Sequence, residues 1–405
     1  MNFLWGIMGI AFVLLLAFLF STRKKSLRFR TILGGLGFQL LFAFIVLQWP
    51  LGRKALEQLT IGVQSVIDNA NEGINFLFGD LLTLEGVGSV FAFQVLPIII
   101  FFSSLIAVLY YIGVMQWIVK IIGGFLSFVL GTSKAESMSA AANIFVGQTE
   151  APLVVRPYLA KMTKSELFTV MTGGLASVAG SVLFGYASLG IPLNYLLAAS
   201  FMAAPAGLIM AKIMMPETEK SATTDEIKIE KDKESQNVID AAARGASTGL
   251  QLALNVGAML LAFIALIAVI NSLFSLVGGW FGVENLSLEM ILGFVFAPVA
   301  FMIGVPWAEA LAAGSYIGQK LVVNEFVAYA SFAPEIDNFT EKSQVVITFA
   351  LCGFANLSSM AIILGGIGGL VPERRAEIAQ LGLRAVLAGA LASLLSAAIA
   401  GMFVG

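Results

Sequence analysis

The feature that most limits this chain is its long uncharged apolar runs. Residues 3–20 contain no charged side chain, and further apolar blocks lie near 31–50, 91–118, 166–190, 192–211, 248–277, 343–370 and 385–404. About 20 such residues span a bilayer as a helix. Inside lipid every backbone N–H and C=O must be satisfied within the protein, which leaves helices or closed barrels. Runs of this length read as helices. Charge supports the same reading, at 12% of residues against roughly 25% for a soluble domain. The expected fold is an all-α polytopic membrane protein of about eight transmembrane helices.

Composition also removes several kinds of chemistry. The chain has no histidine and one cysteine, Cys352. Histidine–zinc sites, histidine-based hydrolytic triads and an intrachain disulfide are therefore excluded. The net charge of −2 and the lack of a basic patch give no footing for nucleic acid. The first apolar run precedes its basic cluster (Arg23, Lys24, Lys25, Arg28, Arg30), the reverse of a cleavable signal peptide. It is expected to be a retained span.

Basic residues collect in cytoplasmic loops. The clusters at 23–30, 120–164, 212–244 and 374–384 fall on one side if two apolar stretches, near 136–155 and 305–330, do not cross. Only Arg53, Lys54, Lys320 and Lys342 are then left on the other. Both stretches are expected to be re-entrant hairpins, the first opening to the cytoplasm and the second outside. That arrangement puts the N- and C-termini outside the cytoplasm. Residues 53–80 mix charged and apolar positions like an interfacial amphipathic helix. Residues 216–240 carry dense charge of both signs and read as a solvated linker.

An internal repeat follows from matched strings. GGLASVAGS (173–181) parallels CGFANLSSM (352–360), Gly147–Gln148 parallels Gly318–Gln319, Glu150 parallels Glu325, and Ala135–Glu136 parallels Ala308–Glu309. Three crossings and a hairpin per unit make the second unit inverted, an arrangement used by secondary transporters. The expected organisation is scaffold 1–84, repeat unit 85–215, linker 216–244 and repeat unit 245–405.

Polar side chains within membrane segments are costly and point to function. The string GQTEAP reads as a helix broken at Gly147 and Pro152, exposing Gln148, Thr149 and Glu150. The second half offers Asn324, Glu325, Phe354, Asn356, Ser358 and Ser359. Carboxylates accept hydrogen bonds from vicinal hydroxyls, while Gln and Thr can match a mixed donor–acceptor ring edge. A neutral, hydroxylated cargo with a flat ring fits this set. Asn143, Ser177 and the carbonyls of Val146, Ser177 and Val178 supply oxygens for a sodium cage. Other polar groups have structural readings. Ser181 and Ser358 are expected to bond their own backbone, Asn255 and Asn271 to join helices, and Glu136 and Glu309 to cap them.

The strings NIFVGQTEAP, VVNEF and GFANLSS together resemble the concentrative nucleoside transporter family, in particular its bacterial sodium-coupled members. The likeness runs over nearly the whole chain. It implies a homotrimer in the bacterial cytoplasmic membrane, importing nucleosides with sodium by movement of a transport domain, and no enzyme activity. By this resemblance Gln148, Thr149 and Glu150 face the base, with Val182 and Phe354 packed against it. Glu325, Asn356 and Ser359 match positions that hold the ribose. Asn143, Val146, Ser177 and Val178 match the sodium site. Proton coupling through Glu150 or Glu325 is the alternative drive. A channel fits less well, because the polar residues form one cluster rather than a lined pore.

Overall fold

The computed structural model describes residues 2–83, 91–223, 235–280, 282 and 286–404. Among them no strand forms. The helices are α1 (Asn2–Leu19), α2 (Phe29–Ala43), α3 (Pro50–Phe78), α4 (Phe91–Tyr111), α5 (Val114–Leu130), α6 (Lys134–Ala142), α7 (Arg156–Leu159), α8 (Lys164–Ala176), α9 (Gly180–Ser188), α10 (Leu193–Met214), α11 (Val238–Trp280), α12 (Leu288–Met302), α13 (Trp307–Val322), α14 (Glu325–Phe332), α15 (Glu341–Leu351), α16 (Ser359–Leu370) and α17 (Arg375–Ala400).

Among the described residues, seven stretches are long and apolar enough to cross a membrane: α1, α2 with its extension to Gln48, α4, α8 with α9, α10, α11 and α17. The pair α12–α13 makes an eighth candidate but bends by 117°. The apolar block at 343–370 is not continuous. It forms α15 and α16, separated by residues 352–358, where Gly353, Asn356 and Ser358 favour backbone outside the helix. A matching interruption at 177–179 separates α8 from α9. Glycine, alanine and serine at these breaks are equally common inside membrane helices, so apolar content alone hides them.

Both halves run through the same sequence of elements. A long helix (α4, α11) is followed by a second helix (α5, α12), a hairpin arm and short return (α6–α7, α13–α14), a broken span (α8–α9, α15–α16) and a long final helix (α10, α17). Packing is reciprocal: α4 lies along α11, α10 along α17, α8 on α17 and α15 on α10. Two-fold related halves require such pairwise exchange. The close approach of α4 and α11 depends on Gly249, where a Cβ would stand 2.8 Å from the Ile100 Cα.

Burial separates an inner block from an outer one. The apolar window of α10 is 94% buried, whereas that of α11 is 17% buried and presents apolar side chains outward. The amphipathic helix at 53–80 is α3, which begins with Pro50 in its first turn and buries Leu56, Ile67, Ala70 and Ile74 along one face.

The linker expectation needs correction at both ends. Residues 238–244 are the first turns of α11. At the other end, Glu217 accepts the Thr163 hydroxyl, while Ser221 and Thr223 donate to the Glu166 carboxylate. Short hydroxyl side chains find a buried acceptor there, which charge density does not reveal. Residues 224–234, and the unit boundary near 84–85 from residue 84 onward, lie outside the described residues.

Candidate functional site

The first hairpin is built by a reciprocal cap. The Ser133 side chain accepts from the Glu136 N–H, and Glu136 accepts from the Ser133 N–H at 2.7 Å, starting α6. Glu136 is thus a cap, as expected, and also pairs with Lys212 at 2.6 Å. After α6 the chain turns through 143–150. The Gly147 carbonyl accepts from the N–H groups of Glu150 and Ala151, at 3.2 and 3.0 Å. Pro152 then lies in the first turn of a short 3-10 segment. A Cβ at 147 would fall on the present position of the Glu150 carboxylate, so glycine here leaves that side chain room to fold back over the turn.

The break after α8 meets this turn directly. Ser177 leaves the helix in extended backbone, and the Gly180 N–H donates to the Phe145 carbonyl at 3.0 Å. On the other half, Asn324 caps α14 through the Val327 N–H at 2.8 Å, which makes Glu325 its first residue. The break between α15 and α16 is tied to both sides. The Phe354 N–H donates to the Ser177 carbonyl at 3.0 Å, and the Leu357 N–H to the Leu321 carbonyl at 3.2 Å. Four interrupted segments therefore converge on one region, where freed backbone groups face each other and a cavity.

Glu325 is the best-held side chain in it. Although only 5% exposed, its carboxylate accepts from the Tyr186 hydroxyl at 3.0 Å and from the Asn356 Nδ2 at 3.1 Å. Asn356 Oδ1 in turn accepts from the Ser359 N–H at 2.9 Å and the Ser358 hydroxyl at 2.7 Å. Ser358 was expected to bond its own backbone; instead it braces Asn356, because it lies outside the helix. Glu150 differs, being open to the cavity.

A cavity of about 130 Å³ occupies the convergence. Gln148, Thr149, Glu150 and Val182 line it from the first half, and Glu325, Phe354, Asn356 and Ser359 from the second. Every side chain that the sequence assigned to the cargo is therefore on this one wall. Gln148 Oε1 is buried without a hydrogen-bond partner, leaving an acceptor for an incoming donor. Gln319, the repeat partner of Gln148, instead bonds Ser315 within its own helix. Leu252, Val256, Met259 and Leu260 of α11 close the cavity with an apolar face that the sequence reading missed. Tyr186 was missed as well.

Two of the expected sodium residues, Asn143 and Ser177, both reach Gly173. Asn143 is 1% exposed; its Nδ2 donates to the Ser139 carbonyl at 2.9 Å, and its Oδ1 has no partner. The Ser177 hydroxyl donates to the Gly173 carbonyl at 3.0 Å, and the Asn143 Nδ2 lies 3.3 Å from where a Gly173 Cβ would stand. The carbonyls of Val146 and Val178 accept no backbone hydrogen bond among the described residues. Neutral oxygens without donors suit a small cation carried as cargo, since burying them unpaired is otherwise unfavourable.

Other polar residues sort into structural roles. Asn271 joins α11 to α12 by accepting from the Leu288 N–H and donating to Glu289. Asn255 is exposed and bonds Gln251 on its own helix, so it does not join helices. Glu309 accepts from the Thr340 N–H and hydroxyl at the start of α15. Lys212 was counted with the 212–244 loop cluster, whereas Lys320 falls within the second hairpin stretch. They are buried, at 7% and 2% exposure.

Comparison with known proteins gives a consistent family. The chain matches the Na+ dependent nucleoside transporter N-terminus over residues 8–81, nucleoside recognition (gate) over 92–193 and the Na+ dependent nucleoside transporter C-terminus over 195–401. It is 60% identical over 405 residues to YutK of Bacillus subtilis, described as an uncharacterized transporter, covering 100% of both chains. It is 52% identical over 412 residues to the nucleoside permease NupC of Helicobacter pylori, covering 99% of this chain and 98% of the relative. A solved structure, CNTnw in an inward-facing substrate-bound state, matches with a TM-score of 0.95 and 54% identity, covering 100% of this chain and 98% of that one.

Proposed function

Since this chain belongs to the Na+ dependent nucleoside transporter family, we propose that it imports nucleosides such as uridine together with sodium across the bacterial cytoplasmic membrane. The observation that carries this reading is the cavity wall itself. Polar side chains from both halves, widely separated in sequence, surround one space at the junction of four broken segments.

In this reading Gln148, Thr149 and Glu150 meet the base, and Val182 and Phe354 pack against its faces. Glu325, Asn356 and Ser359 hold the ribose hydroxyls. The Glu325 carboxylate can accept hydroxyl hydrogens because Tyr186 and Asn356 hold it in place and leave it further acceptor capacity. Sodium is assigned to Asn143, Val146, Ser177 and Val178.

The ion and the cargo have a short physical connection. The Ser177 carbonyl already accepts the Phe354 N–H. A carbonyl has two lone pairs, so an ion at Ser177 fixes the break that positions Phe354. Sodium binding would thereby prepare the cavity for the nucleoside. The apolar face of α11 would form part of a scaffold past which the buried block moves. The homotrimer, the first hairpin opening inward and the second outward, and both termini outside the cytoplasm belong to the same reading. The exposed apolar side chains of α11 are compatible with lipid or neighbouring-subunit contact.

The test is uridine binding to the purified chain, competed by 3′-deoxyuridine and by uracil, with and without sodium. Uridine is expected to bind more tightly than either competitor, and more tightly with sodium. Glu325→Ala is expected to remove the preference for uridine over 3′-deoxyuridine. Retention of that preference in Glu325→Ala contradicts the ribose assignment.

A further inference from the structure

One stretch of the outer surface joins a cationic edge to a run of aromatic rings. Residues 1–56 and 86–135 contain no aspartate or glutamate. Both α1 and α2 are long and apolar enough to cross the membrane, so the short segment between them lies at its surface. That segment carries Arg23, Lys24 and Lys25, and Arg30 follows in the first turn of α2. All are exposed, and among the described residues none of them forms an ion pair. Arg28 differs, because it lines a separate polar cavity together with Glu217 and Glu219.

Two of these cations are held in place. The Lys24 Nζ stands over the Phe18 ring, 5.3 Å from its centroid. The Arg30 guanidinium donates to the Phe128 carbonyl in the last turn of α5. It also lies against Gly131, where a Cβ would stand 3.0 Å from the Arg30 Cδ. An arginine fixed through one nitrogen keeps its other donors for an anion.

Away from this edge the surface is aromatic. Phe125 of α5 meets Phe38 of α2, and Phe38 meets Phe42, with centroids 5.6 and 6.1 Å apart. Phe42 meets Phe201 of α10 and Phe201 meets Phe145, at 6.0 and 6.1 Å. Phe125 is 50% exposed and the other four rings are partly exposed, so the stripe is open along its length. Phe42 lies about 18 Å along α2 from Arg30, and the hydrocarbon of one leaflet is roughly 15 Å deep. Phe145 belongs to the turn of the first hairpin, where its carbonyl accepts the Gly180 N–H. The stripe thus runs from the cationic edge to the residue before Val146.

We propose that this face is a binding site for one anionic glycerophospholipid. Its phosphate lies at Arg23, Lys25 and Arg30, and one acyl chain follows Phe38, Phe42 and Phe201 to Phe145. With no acidic residue on α1, α2 or α5, the headgroup charge is what pairs these cations, so the site selects by headgroup. Each basic residue near an anionic headgroup adds about fivefold in affinity. The site is independent of the cargo and ion assigned to the cavity.

The test incubates the full-length chain, purified in detergent, with equal amounts of palmitoyl-oleoyl phosphatidylglycerol and phosphatidylcholine, and counts bound lipid by native mass spectrometry. The wild type is expected to prefer phosphatidylglycerol by about tenfold or more, and Arg23→Gln/Lys25→Gln/Arg30→Gln to within about twofold only. Arg156→Gln/Lys161→Gln/Lys164→Gln removes the same charge from other exposed positions and is expected to keep the wild-type preference. Equal loss in both variants, or a wild type without preference, overturns the site. Phe38→Ala/Phe42→Ala is expected to hold both lipids about threefold or more weakly while keeping the preference. Unchanged retention in that variant overturns the acyl stripe, and displacement of the lipid by an equal concentration of free glycerophosphate overturns it too. Where the first triple variant is not recovered folded, Arg23→Gln/Lys25→Gln decides, since these side chains make no hydrogen bond among the described residues. A preference lowered by about fivefold or more supports the proposal, and an unchanged one overturns it.

Discussion

The Tyr186 hydroxyl donates to Glu325 Oε1 at 3.0 Å, joining a helix of the first half to the start of α14 in the second. The Tyr186 ring also packs on Phe326 and Tyr329, with centroids 5.0 and 4.5 Å apart. Tyr186→Phe keeps this packing and removes the donor. A hydrogen bond to a charged group contributes about 1.5–3 kcal/mol, so uridine affinity is expected to fall roughly tenfold, measured by titration at saturating sodium. Thermal stability is expected to change little by comparison.

Asn143 presents a buried side-chain oxygen without a partner, and its amide lies next to Gly173, whose carbonyl accepts the Ser177 hydroxyl. Asn143→Ala removes that oxygen. Half-saturating sodium for uridine binding is expected to rise by about tenfold, the scale of losing one strong oxygen ligand. Uridine affinity at very high sodium should recover most of the way. Equal loss at all sodium concentrations would place Asn143 in the nucleoside pocket instead.

Lys212 and Glu136 form a buried pair at 2.6 Å, and neither lines the cavity at the four breaks. Breaking a buried pair strands a charge and costs about 3–5 kcal/mol. Lys212→Met is expected to lower the unfolding temperature markedly, and the double change with Glu136→Gln is expected to recover part of the loss. A double-mutant cycle in thermal unfolding measures the coupling. Additive losses would show that the pair is not energetically linked.

Gly353 sits where the second broken span touches the first. A Cβ there would meet Ser393 Oγ at 2.6 Å and the Ala176 carbonyl at 2.9 Å. Gly353→Ala is expected to destabilise the protein by about 1–3 kcal/mol through overpacking. Because the Phe354 N–H bonds Ser177 next door, sodium-dependent uridine binding should weaken too. Wild-type stability would mean that the junction can open without cost.

Much of the cavity was legible because its chemistry is rare in apolar surroundings. Glu150 and Glu325 stand out as carboxylates at membrane depth, and Gln148, Thr149 and Asn356 lie beside them in broken, glycine-bearing strings. Helical content was legible for a related reason, since the long apolar runs leave the backbone few alternatives. Tyr186 was not, because an aromatic residue in a membrane helix usually reports packing. Leu252, Val256, Met259 and Leu260 look the same in sequence whether they face lipid or a cavity. Lys212 was read as a loop charge because the rule for basic residues assumes exposure, and the burial of Lys320 within the second hairpin was not legible either. Their partners are the Ala350 carbonyl for Lys320 and Glu136 for Lys212, contacts set by tertiary packing. The break between α15 and α16 was hidden by glycine, alanine and serine, which occur as readily inside membrane helices.

Uridine uptake into proteoliposomes holding the purified chain, driven by an inward sodium gradient with no pH gradient, tests the central claim most directly. Uridine is expected to accumulate above its outside concentration while the gradient lasts, and replacing sodium with potassium is expected to stop it. Glu325→Ala is expected to show no accumulation. Accumulation that ignores sodium, or that a pH gradient drives equally well in sodium-free buffer, would contradict sodium coupling.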